Sequence, residues 1–385
     1  MADELVFGLI GCGGMMKSHL RGYKALWEAN LRGFRIAAAC DIDAAKAEKF
    51  ADDVAAFQGA RPGVYTDFRK MLDAEKGLDA VDISLVHRDH HKVAIPCLQA
   101  GKHVTIEKPL AITCRAGKAI IDAAEKAGRL LQTAENYRRA PEHRAVNWAL
   151  RAGRIGELRQ LYWIDVGERQ WYWSWRDHRD LAGGGWSMDG GVHFADLFRY
   201  HVGEVKTLYA VSLAQSPVRY KNRKELTDPV EATVEDTTFT VVQFENGVVG
   251  HWTYSGAAPV DNFSRRAVYG SDGALAWGAG LKTRSEEVPM ADLIAQHGKA
   301  MTDKQREQFF PGGLTDTVAT ELWDFMRAIR GEGELEIDGA EGLKDLALSM
   351  AIYESSALGR PVEVSAVENC RIENYQADLN EAAGL

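Results

Sequence analysis

The stretch Val6-Phe7-Gly8-Leu9-Ile10-Gly11-Cys12-Gly13-Gly14 is an apolar run that ends in a cluster of glycines. The apolar run predicts a buried strand, and Gly11 permits a tight turn directly after it. Gly13 lets backbone N–H groups approach a pyrophosphate, and the following helix directs its positive end at the same group. The pattern therefore predicts a dinucleotide site whose contacts include Gly11, Gly13, Gly14 and Met15.

A second apolar run, from Phe34 to Cys40, closes on Asp41 and completes one βαβ unit. A carboxylate at that place can accept hydrogen bonds from an adenosine ribose and would repel a 2′-phosphate, so it predicts NAD in preference to NADP. Met16 stands where the dinucleotide fingerprint has Gly or Ala, which lowers the specificity of the motif. The alternative is that the glycines form only a tight turn and that Asp41 only caps a helix.

The distribution of patterns along the chain predicts an α/β protein with two domains. Strand and helix patterns alternate through the first third, which is typical of a Rossmann, doubly wound parallel sheet. Beyond about residue 140 β-branched alternation dominates, which predicts an α+β domain with a large, open, mainly antiparallel sheet. We place an NAD-binding domain at 1–138, a substrate-binding and oligomerisation domain at 139–365 whose final helix packs back on the first domain, and a tail at 366–385.

Composition limits the class of partner. The chain has 385 residues and a formal net charge of -9, which would repel a nucleic-acid backbone. No apolar run approaches the roughly 20 residues that span a bilayer, and Met1-Ala2-Asp3-Glu4 lacks the basic start of a signal peptide. The five cysteines are widely spaced and predict buried, reduced thiols. We expect a cytoplasmic protein with neither nucleic acid nor membrane as a partner.

Two later segments carry groups that could move a proton while a hydride leaves carbon: Glu107-Lys108-Pro109, and Gly183-Gly184-Gly185 followed by Asp189-Gly190-Gly191-Val192-His193. His193 is the candidate base, because its unperturbed pKa lies near working pH. Lys108 would donate to the same substrate oxygen and stabilise its developing charge. Asp189 would share a helix face with His193 and orient the substrate or the imidazole. Taken singly, Lys108 could be a surface charge, His193 a buried core residue and Asp189 a helix cap. A cis Lys108–Pro109 bond would aim the lysine inward.

The chain resembles the Gfo/Idh/MocA family of oxidoreductases over nearly its whole length. The residues that carry the resemblance are Gly11-Cys12-Gly13-Gly14, Ala100-Gly101-Lys102-His103-Val104 with Glu107-Lys108-Pro109, Gly183-Gly184-Gly185 with Asp189, Gly191, His193 and Asp196, and Ala351-Ile352-Tyr353-Glu354-Ser355. The resemblance implies that Lys108, Asp189 and His193 form the catalytic set and that Glu107 reaches the nicotinamide ribose. It also implies face-to-face packing of the second sheet into homodimers or homotetramers.

One segment departs from the family pattern. Where the family commonly shows Thr-Pro-Asn ahead of a histidine, this chain reads Leu85-Val86-His87-Arg88-Asp89-His90. We interpret it as a loop that faces the cofactor, with His87 and His90 as contacts. The alternative, a metal site that also uses His91, has no established ligand spacing and no clear second half, so we predict no metal.

The clearest substrate signal is the stretch Trp171-Tyr172-Trp173-Ser174-Trp175-Arg176-Asp177-His178. Aromatic faces suit the C–H faces of a sugar ring, and Trp175 and Arg176 are its expected site members, toward substrate and cofactor alike. The alternative is a core or subunit-interface cluster. Tyr137 and Arg138 follow the last strand of the first domain and are further candidate substrate contacts. No dense arginine cluster indicates a phosphorylated substrate.

We therefore expect an NAD-dependent dehydrogenase that acts on a secondary hydroxyl of a neutral sugar, glycoside or cyclitol. One alternative is an NAD-dependent glycosidase or lyase that oxidises its substrate transiently, eliminates a group and returns the hydride. Another is a non-catalytic, cofactor-binding regulator, which would not need Lys108 and His193.

Overall fold

The computed structural model describes residues 4–385, so Met1, Ala2 and Asp3 of the predicted amino-terminal domain lie outside the described part. The chain divides into two compact units. The first comprises the chain up to Ala111 together with Ala116–Ala140 and Met301–Leu343, and the second comprises Ile112–Arg115, Pro141–Ala300 and Lys344–Leu385. No helix among residues 4–385 is long and apolar enough to cross a membrane.

The amino-terminal part alternates strand and helix as its sequence pattern predicts. Its strands are β1 Leu5–Ile10, β2 Phe34–Cys40, β3 Gly63–Tyr65, β4 Ala80–Ile83, β5 His103–Glu107 and β6 Leu131–Ala134. Its helices are α1 Gly14–Glu28, α2 Ala44–Gln58, α3 Phe68–Ala74, α4 His90–Gln99 and α5 Cys114–Ala127. The strands form one six-stranded parallel sheet in the order β3-β2-β1-β4-β5-β6, which confirms the predicted doubly wound fold.

The middle part supplies most of the second unit. Its helices are α6 Pro141–Arg151, α7 Arg179–Ala182, α8 Trp186–Asp189, α9 Gly191–His201 and α10 Met290–Ala300. Its strands are β7 Leu158–Val166, β8 Val205–Leu213, β9 Val218–Asn222, β10 Thr227–Glu231, β11 Thr237–Phe244, β12 Val249–Ser255, β13 Phe263–Gly270, β14 Gly273–Ala276, β15 Gly280–Thr283 and β16 Glu287–Pro289. The sequence pattern predicts one strand from Arg266 to Trp277, but the chain turns between Gly270 and Gly273 and makes two strands there.

The last part is divided between the units. It forms α11 Asp303–Phe309, α12 Thr317–Ile329, α13 Gly339–Leu358, β17 Val362–Glu363, α14 Val364–Glu368 and α15 Ala377–Ala383. Residues 301–343, with α12, group with the first unit, although the sequence analysis assigns them to the second domain. Residues 366–385 form turns and helices within the second unit and do not form an extended tail.

The core of the first unit is built on aromatic contacts between helices and the parallel sheet. The rings of Phe7 and Tyr23 lie 5.7 Å apart, and Tyr23 lies 5.5 Å from Phe34. Phe325 of α12 packs edge-on against Phe7 at 6.2 Å. All four side chains are fully buried, so α12 closes the apolar face of α1 and the sheet.

The second unit contains a nine-stranded sheet in the order β16-β15-β14-β13-β7-β12-β11-β8-β17. Strand β7 pairs parallel with β12, whereas the other described pairs of this sheet are antiparallel. Burial alternates along β11, so one face of the sheet is covered and the other is open. The prediction of a large, mainly antiparallel second sheet is confirmed.

Candidate functional site

The turn after β1 leaves the amino terminus of α1 open. Gly11 has φ +91°, and a Cβ placed there would lie 2.1 Å from the carbonyl oxygen of Ser84, so only glycine fits. Gly13 is the N-cap of α1 and offers no capping side chain. A Cβ added at Gly13 or Gly14 would meet nothing within 4 Å. Uncapped N–H groups that face open space fit a pyrophosphate, whose charge the helix dipole favours.

Asp41 ties the end of β2 to this turn. Its Oδ2 accepts the backbone N–H of Cys12 at 2.7 Å, and its Oδ1 accepts the N–H of Asp43 at 2.9 Å. The carboxylate is therefore held beside the glycine turn, where a ribose hydroxyl could still donate to it. Ile42 follows with its side chain 94% exposed and offers an apolar surface beside Asp41, which the sequence analysis missed. Burial raises the pKa of Cys12 to about 12, so this cysteine stays a thiol.

His87 and His90 are both buried in the loop and helix start that follow β4. The Nδ1 atom of His90 lies 3.0 Å from the carbonyl oxygen of Pro109, and its Nε2 lies 3.3 Å from that of Leu85. Burial and neighbouring His87 lower the pKa of His90 to about 4, so the ring is neutral and donates to one of the two carbonyls. His90 therefore anchors the chain beside Lys108. Its predicted contact with the cofactor stays a prediction.

Lys108 is half-buried and directly follows β5. The Lys108–Pro109 peptide bond is cis, as predicted. The side chain of Glu107 is turned into the unit: Oε1 lies 2.8 Å from Nε2 of His19, and Oε2 accepts the backbone N–H of Lys108 at 3.1 Å. The sequence pattern predicts no role for His19, because a lone histidine on a buried helix face gives little signal.

The two candidate contacts after β6 lie on one short 3₁₀ turn, Tyr137–Arg139. Tyr137 is exposed, whereas Arg138 is buried. The turn is fixed by Glu135, whose Oε1 accepts the N–H of Tyr137 at 2.8 Å. Of these two candidates, Tyr137 is the more available to a ligand.

In the second unit, the glycine-rich turn is held by a buried carboxylate. Glu235 accepts the N–H of Gly185 at 2.7 Å, the N–H of Ser187 at 3.0 Å and the hydroxyl of Tyr353 at 2.9 Å. Burial raises the pKa of Glu235, and its three donors oppose that rise. The hydroxyl of Tyr375 donates to the carbonyl of Gly183 at 3.0 Å. These supports come from distant parts of the chain, so no local sequence signal pointed to them.

Glycine is required in this turn because other groups approach its backbone closely. A Cβ on Gly184 would lie 2.3 Å from the Tyr353 hydroxyl oxygen, and one on Gly185 would lie 2.5 Å from the Glu235 carbonyl oxygen. Gly183 also ends α7 with φ +83°. The turn thus leads into α8 along one fixed path.

Asp189 ends α8 and His193 lies in the first turn of α9. The sequence pattern predicts one helix across both residues, but the helix is interrupted at Gly190, whose φ of -92° and ψ of -35° remain helical. Both Asp189 and His193 are buried. Asp189 Oδ1 accepts a hydrogen bond from Nε of Arg176 at 2.9 Å, so the structure joins these two predicted site residues.

The aromatic stretch divides into parts with different partners. Trp171 and Tyr172 are covered by the β9–β10 hairpin: the N–H of Tyr172 donates to the carbonyl of Tyr220 at 2.9 Å, and the Arg223 guanidinium lies 4.5 Å from the Trp171 ring. The Trp175 ring carries the Arg176 guanidinium at 4.3 Å.

Trp173 belongs to an aromatic stack within the second unit. It stacks on Trp186, which in turn stacks on Tyr254, with centroids 5.9 Å and 4.8 Å apart. A cleft of about 640 Å³ opens beside this stack. Its other lining residues are Asp165, Val166, Gly167, Glu168, Arg169, Trp171, Ser255, Gly256, Asn262, Phe263 and Ser264. The aromatic side chains of the stretch are thus partly exposed: Trp171 and Trp173 line this cleft, and Trp175 supports Arg176.

Comparisons with known proteins agree with this architecture. The family model "Oxidoreductase family, NAD-binding Rossmann fold" matches residues 5–135, and "Oxidoreductase family, C-terminal alpha/beta domain" matches residues 149–364. Levoglucosan dehydrogenase of Pseudarthrobacter phenanthrenivorans is 27% identical, over 95% of this chain and 99% of that protein. D-apiose dehydrogenase of Paraburkholderia graminis is 28% identical, over 94% and 90%.

A solved structure of levoglucosan dehydrogenase in complex with NADH and L-sorbose has a TM-score of 0.74 and 25% identity. The match covers 94% of this chain and 98% of that one. Both family models match, and together they span most of the described sequence, from the glycine turn of β1 to the end of the second sheet. The chain belongs to the Gfo/Idh/MocA family of oxidoreductases, with an NAD-binding Rossmann domain.

Proposed function

We propose that the protein is an NAD-dependent dehydrogenase that transfers a hydride between a secondary hydroxyl of a sugar, glycoside or cyclitol and nicotinamide. The observation that carries the proposal is that a chain of this family keeps an open glycine turn together with a lysine directly after β5 and a histidine in α9. Relatives named levoglucosan, D-apiose and inositol dehydrogenase support a sugar or cyclitol as the substrate.

The proposed roles follow from the chemistry of the side chains. NAD, when bound, supplies a carbon that accepts or returns the hydride. Lys108 donates a hydrogen bond to the reacting oxygen and stabilises its negative charge, and His193 takes up the hydroxyl proton. Asp189, held by Arg176, orients the substrate or the imidazole. Tyr137, Arg138 and Trp175 remain candidate substrate contacts.

The proposed cofactor residues are those of the first unit. The glycine turn binds the pyrophosphate, and Asp41 accepts from the adenosine ribose with Ile42 beside the base. NAD in preference to NADP follows from the fixed Asp41 carboxylate, which repels a 2′-phosphate. An Asp41→Ala variant should therefore lower the ratio of kcat/KM for NAD to that for NADP at least tenfold, and an unchanged ratio would count against this role.

We also propose that copies of the chain associate through the open face of the second sheet. Exposed apolar side chains lie side by side on it, with Phe239 opposite Val211 and Val241 opposite Tyr209 in the strand register. Such a contiguous apolar face favours association into a homodimer or homotetramer. The five cysteines are free, which supports a reducing compartment such as the cytoplasm.

The experiment is a screen of unmodified sugars, glycosides and cyclitols with NAD, which follows NADH absorbance. We expect stoichiometric NADH with the best substrate. Lys108→Met, which keeps the length of the side chain but removes the ammonium, should lose at least 10²-fold in kcat, and so should His193→Ala. Lys126→Ala, an exposed lysine of α5, is the matched control.

Two results would overturn the proposal. Wild-type turnover by Lys108→Met would remove the proton-handling role of the lysine. Conversion of a glycoside without net NADH release would instead assign transient oxidation and elimination, as in a glycosidase or lyase.

A further inference from the structure

A histidine lies between two carboxylates beneath the cofactor turn. His19 of α1 is fully buried, its Nδ1 atom lies 2.8 Å from Oδ2 of Asp82, and its Nε2 lies 2.8 Å from Oε1 of Glu107. Asp82 belongs to β4 and Glu107 ends β5, so the ring bridges two adjacent parallel strands. An ionised carboxylate only accepts hydrogen bonds, so two such partners require both ring nitrogens to carry a proton.

The surroundings leave the positive charge on His19. Burial alone would lower the pKa of His19, but the Asp82 and Glu107 carboxylates raise it well above 6.5. On its own helix, Tyr23 donates its hydroxyl to Oδ2 of Asp82 at 3.1 Å. From α12, Glu321 is fully buried, and burial raises its pKa well above 4.5. Farther charges that act on Glu321 are those of Arg139 and Glu135.

The charge on His19 connects to the backbone of the lysine. Glu107 uses one oxygen toward His19 and the other toward the N–H of Lys108, at 3.1 Å. The Glu107 side chain is buried, so the imidazolium fixes which way the carboxylate turns. The carboxylate in turn fixes the peptide that carries Lys108. His19 also lies on α1, whose first turn faces the proposed pyrophosphate.

We propose that His19 is a positioning residue: its ring, with a carboxylate at each nitrogen, clamps Asp82 and Glu107 and thereby fixes the Lys108 peptide for proton handling. The proposal rests on the proposed function insofar as Lys108 takes part in the reaction. Loss of the clamp lets Glu107 release the Lys108 amide, and a misplacement of about 1 Å at a reacting group costs roughly 10²-fold in rate.

The first test needs no substrate. Ring-nitrogen NMR of the wild-type protein should show His19 with both nitrogens protonated throughout pH 6 to 8.5. In the same pH range, 15N-lysine labelling should show slow exchange of the Lys108 amide. In His19→Gln that exchange should become at least tenfold faster. His103→Gln is the matched control, because His103 starts β5 and accepts the N–H of Leu130 at the opposite end of the strand.

The second test separates positioning from folding. His19→Gln should lose about 10²-fold in kcat, with the KM for the sugar within about threefold of wild type. In His19→Gln the new amide faces two buried carboxylates without a cation. His19→Gln/Asp82→Asn removes one of these carboxylates and leaves the amide to donate to Glu107, so it should recover at least tenfold in kcat. If His19→Gln fails to fold, the double variant and the wild-type NMR carry the test.

Three results overturn the clamp: a His19 ring that titrates near pH 6.5, unchanged exchange of the Lys108 amide in His19→Gln, or no gain in kcat from the double variant. Failure of the proposed function looks different. The wild-type protein would then turn over none of the sugars, while the NMR and amide-exchange results would still decide whether the clamp exists.

Discussion

Nε of Arg176 donates to Oδ1 of Asp189 at 2.9 Å, and the same guanidinium stacks over the Trp175 ring at 4.3 Å. The carboxylate at the end of α8 is therefore held by a cation whose plane is itself fixed. Asp189 is buried, whereas the Arg176 side chain is about a quarter exposed. The pair therefore fixes the orientation of Asp189 and also supplies a cation to a buried carboxylate.

Arg176→Met should leave Asp189 buried without this partner, so it should lower kcat/KM about 10²-fold and also lower the thermal midpoint. Arg176→Lys keeps the charge but loses the planar, stacked donor, so its loss should be smaller, about tenfold. Steady-state kinetics with the best sugar, together with thermal melts, measure both effects. Full activity of Arg176→Met would show that the ion pair does not matter for turnover.

Glu235→Gln tests the support of the glycine-rich turn. Two backbone N–H groups, those of Gly185 and Ser187, donate to separate oxygens of Glu235. An amide offers only one oxygen, so one donor is left unpaired in a buried place, at a cost of about 1–3 kcal/mol. We expect a lower free energy of unfolding in urea and a loss of about tenfold in kcat, since α8 begins at this turn. Equal stability of variant and wild type would contradict the assignment.

The two glycines of the cofactor turn should respond differently to alanine. Gly11→Ala places a Cβ against the Ser84 carbonyl at positive φ, and the strained backbone alone costs about 1–3 kcal/mol. Gly13→Ala meets nothing within 4 Å and should fold normally, but its methyl group occupies the space proposed for the pyrophosphate. Calorimetric NAD binding should therefore weaken at least tenfold in Gly13→Ala at an unchanged thermal midpoint. If Gly13→Ala binds NAD as tightly as wild type, the pyrophosphate does not bind at this turn.

The raised pKa of His19 predicts a pH-dependent stability. A histidine whose pKa is higher in the folded state stabilises fully below its unfolded pKa, about 6.5, and loses that contribution as pH rises toward the folded pKa. Relative to His19→Gln/Asp82→Asn, the wild-type free energy of unfolding should fall above pH 6.5 by up to about 1.4 kcal/mol per pH unit. Urea titrations from pH 6 to 9 measure it. If the difference in the free energy of unfolding between wild type and double variant does not change with pH, His19 is not an imidazolium in the folded protein.

The open sheet face predicts an association that one charge can disrupt. Val241, half exposed in the middle of β11, has Tyr209 and His251 as its register partners. Val241→Glu should lower the molar mass seen by light scattering toward that of one chain, because a buried, unpaired carboxylate is costly in an apolar contact. Val260→Glu, in a fully exposed loop position, should leave the mass unchanged. Assembly of Val241→Glu as in wild type would place the interface elsewhere.

Much of the fold follows from local patterns. The apolar run and glycines of β1 predict the parallel sheet, because a strand, a turn without side chains and a helix are encoded next to one another. Alternation along β11 predicts a sheet with one open face, because successive residues of a strand point to opposite faces. Local patterns do not predict that residues 301–343 belong to the first unit. The reason is that α12 packs on α1 and β1 through apolar contacts far apart in sequence, such as that between Phe325 and Phe7.

The candidate site also has residues that the sequence predicts and supporting residues that it does not. Lys108, Asp189 and His193 stand out because their residue types match a chemistry, and Gly11 because its place after a strand needs positive φ. The groups that hold them do not stand out. His19 and Glu235 look like ordinary interior or strand residues, and their importance comes only from partners that the fold brings to them. A single sequence carries no signal for such pairings.

Strand β7 lies between β12 and β13 in the sheet. These two strands are consecutive in the chain and are synthesised much later than β7. Its register joins Gln160 to Val249 on one side and Val166 to Phe263 on the other. Such high contact order slows folding, because both edges of β7 stay unpaired until the distant partners arrive. The nascent chain therefore passes through a stage in which this apolar strand, with Trp163 at its centre, is open to wrong pairing, and chaperone dependence should concentrate there.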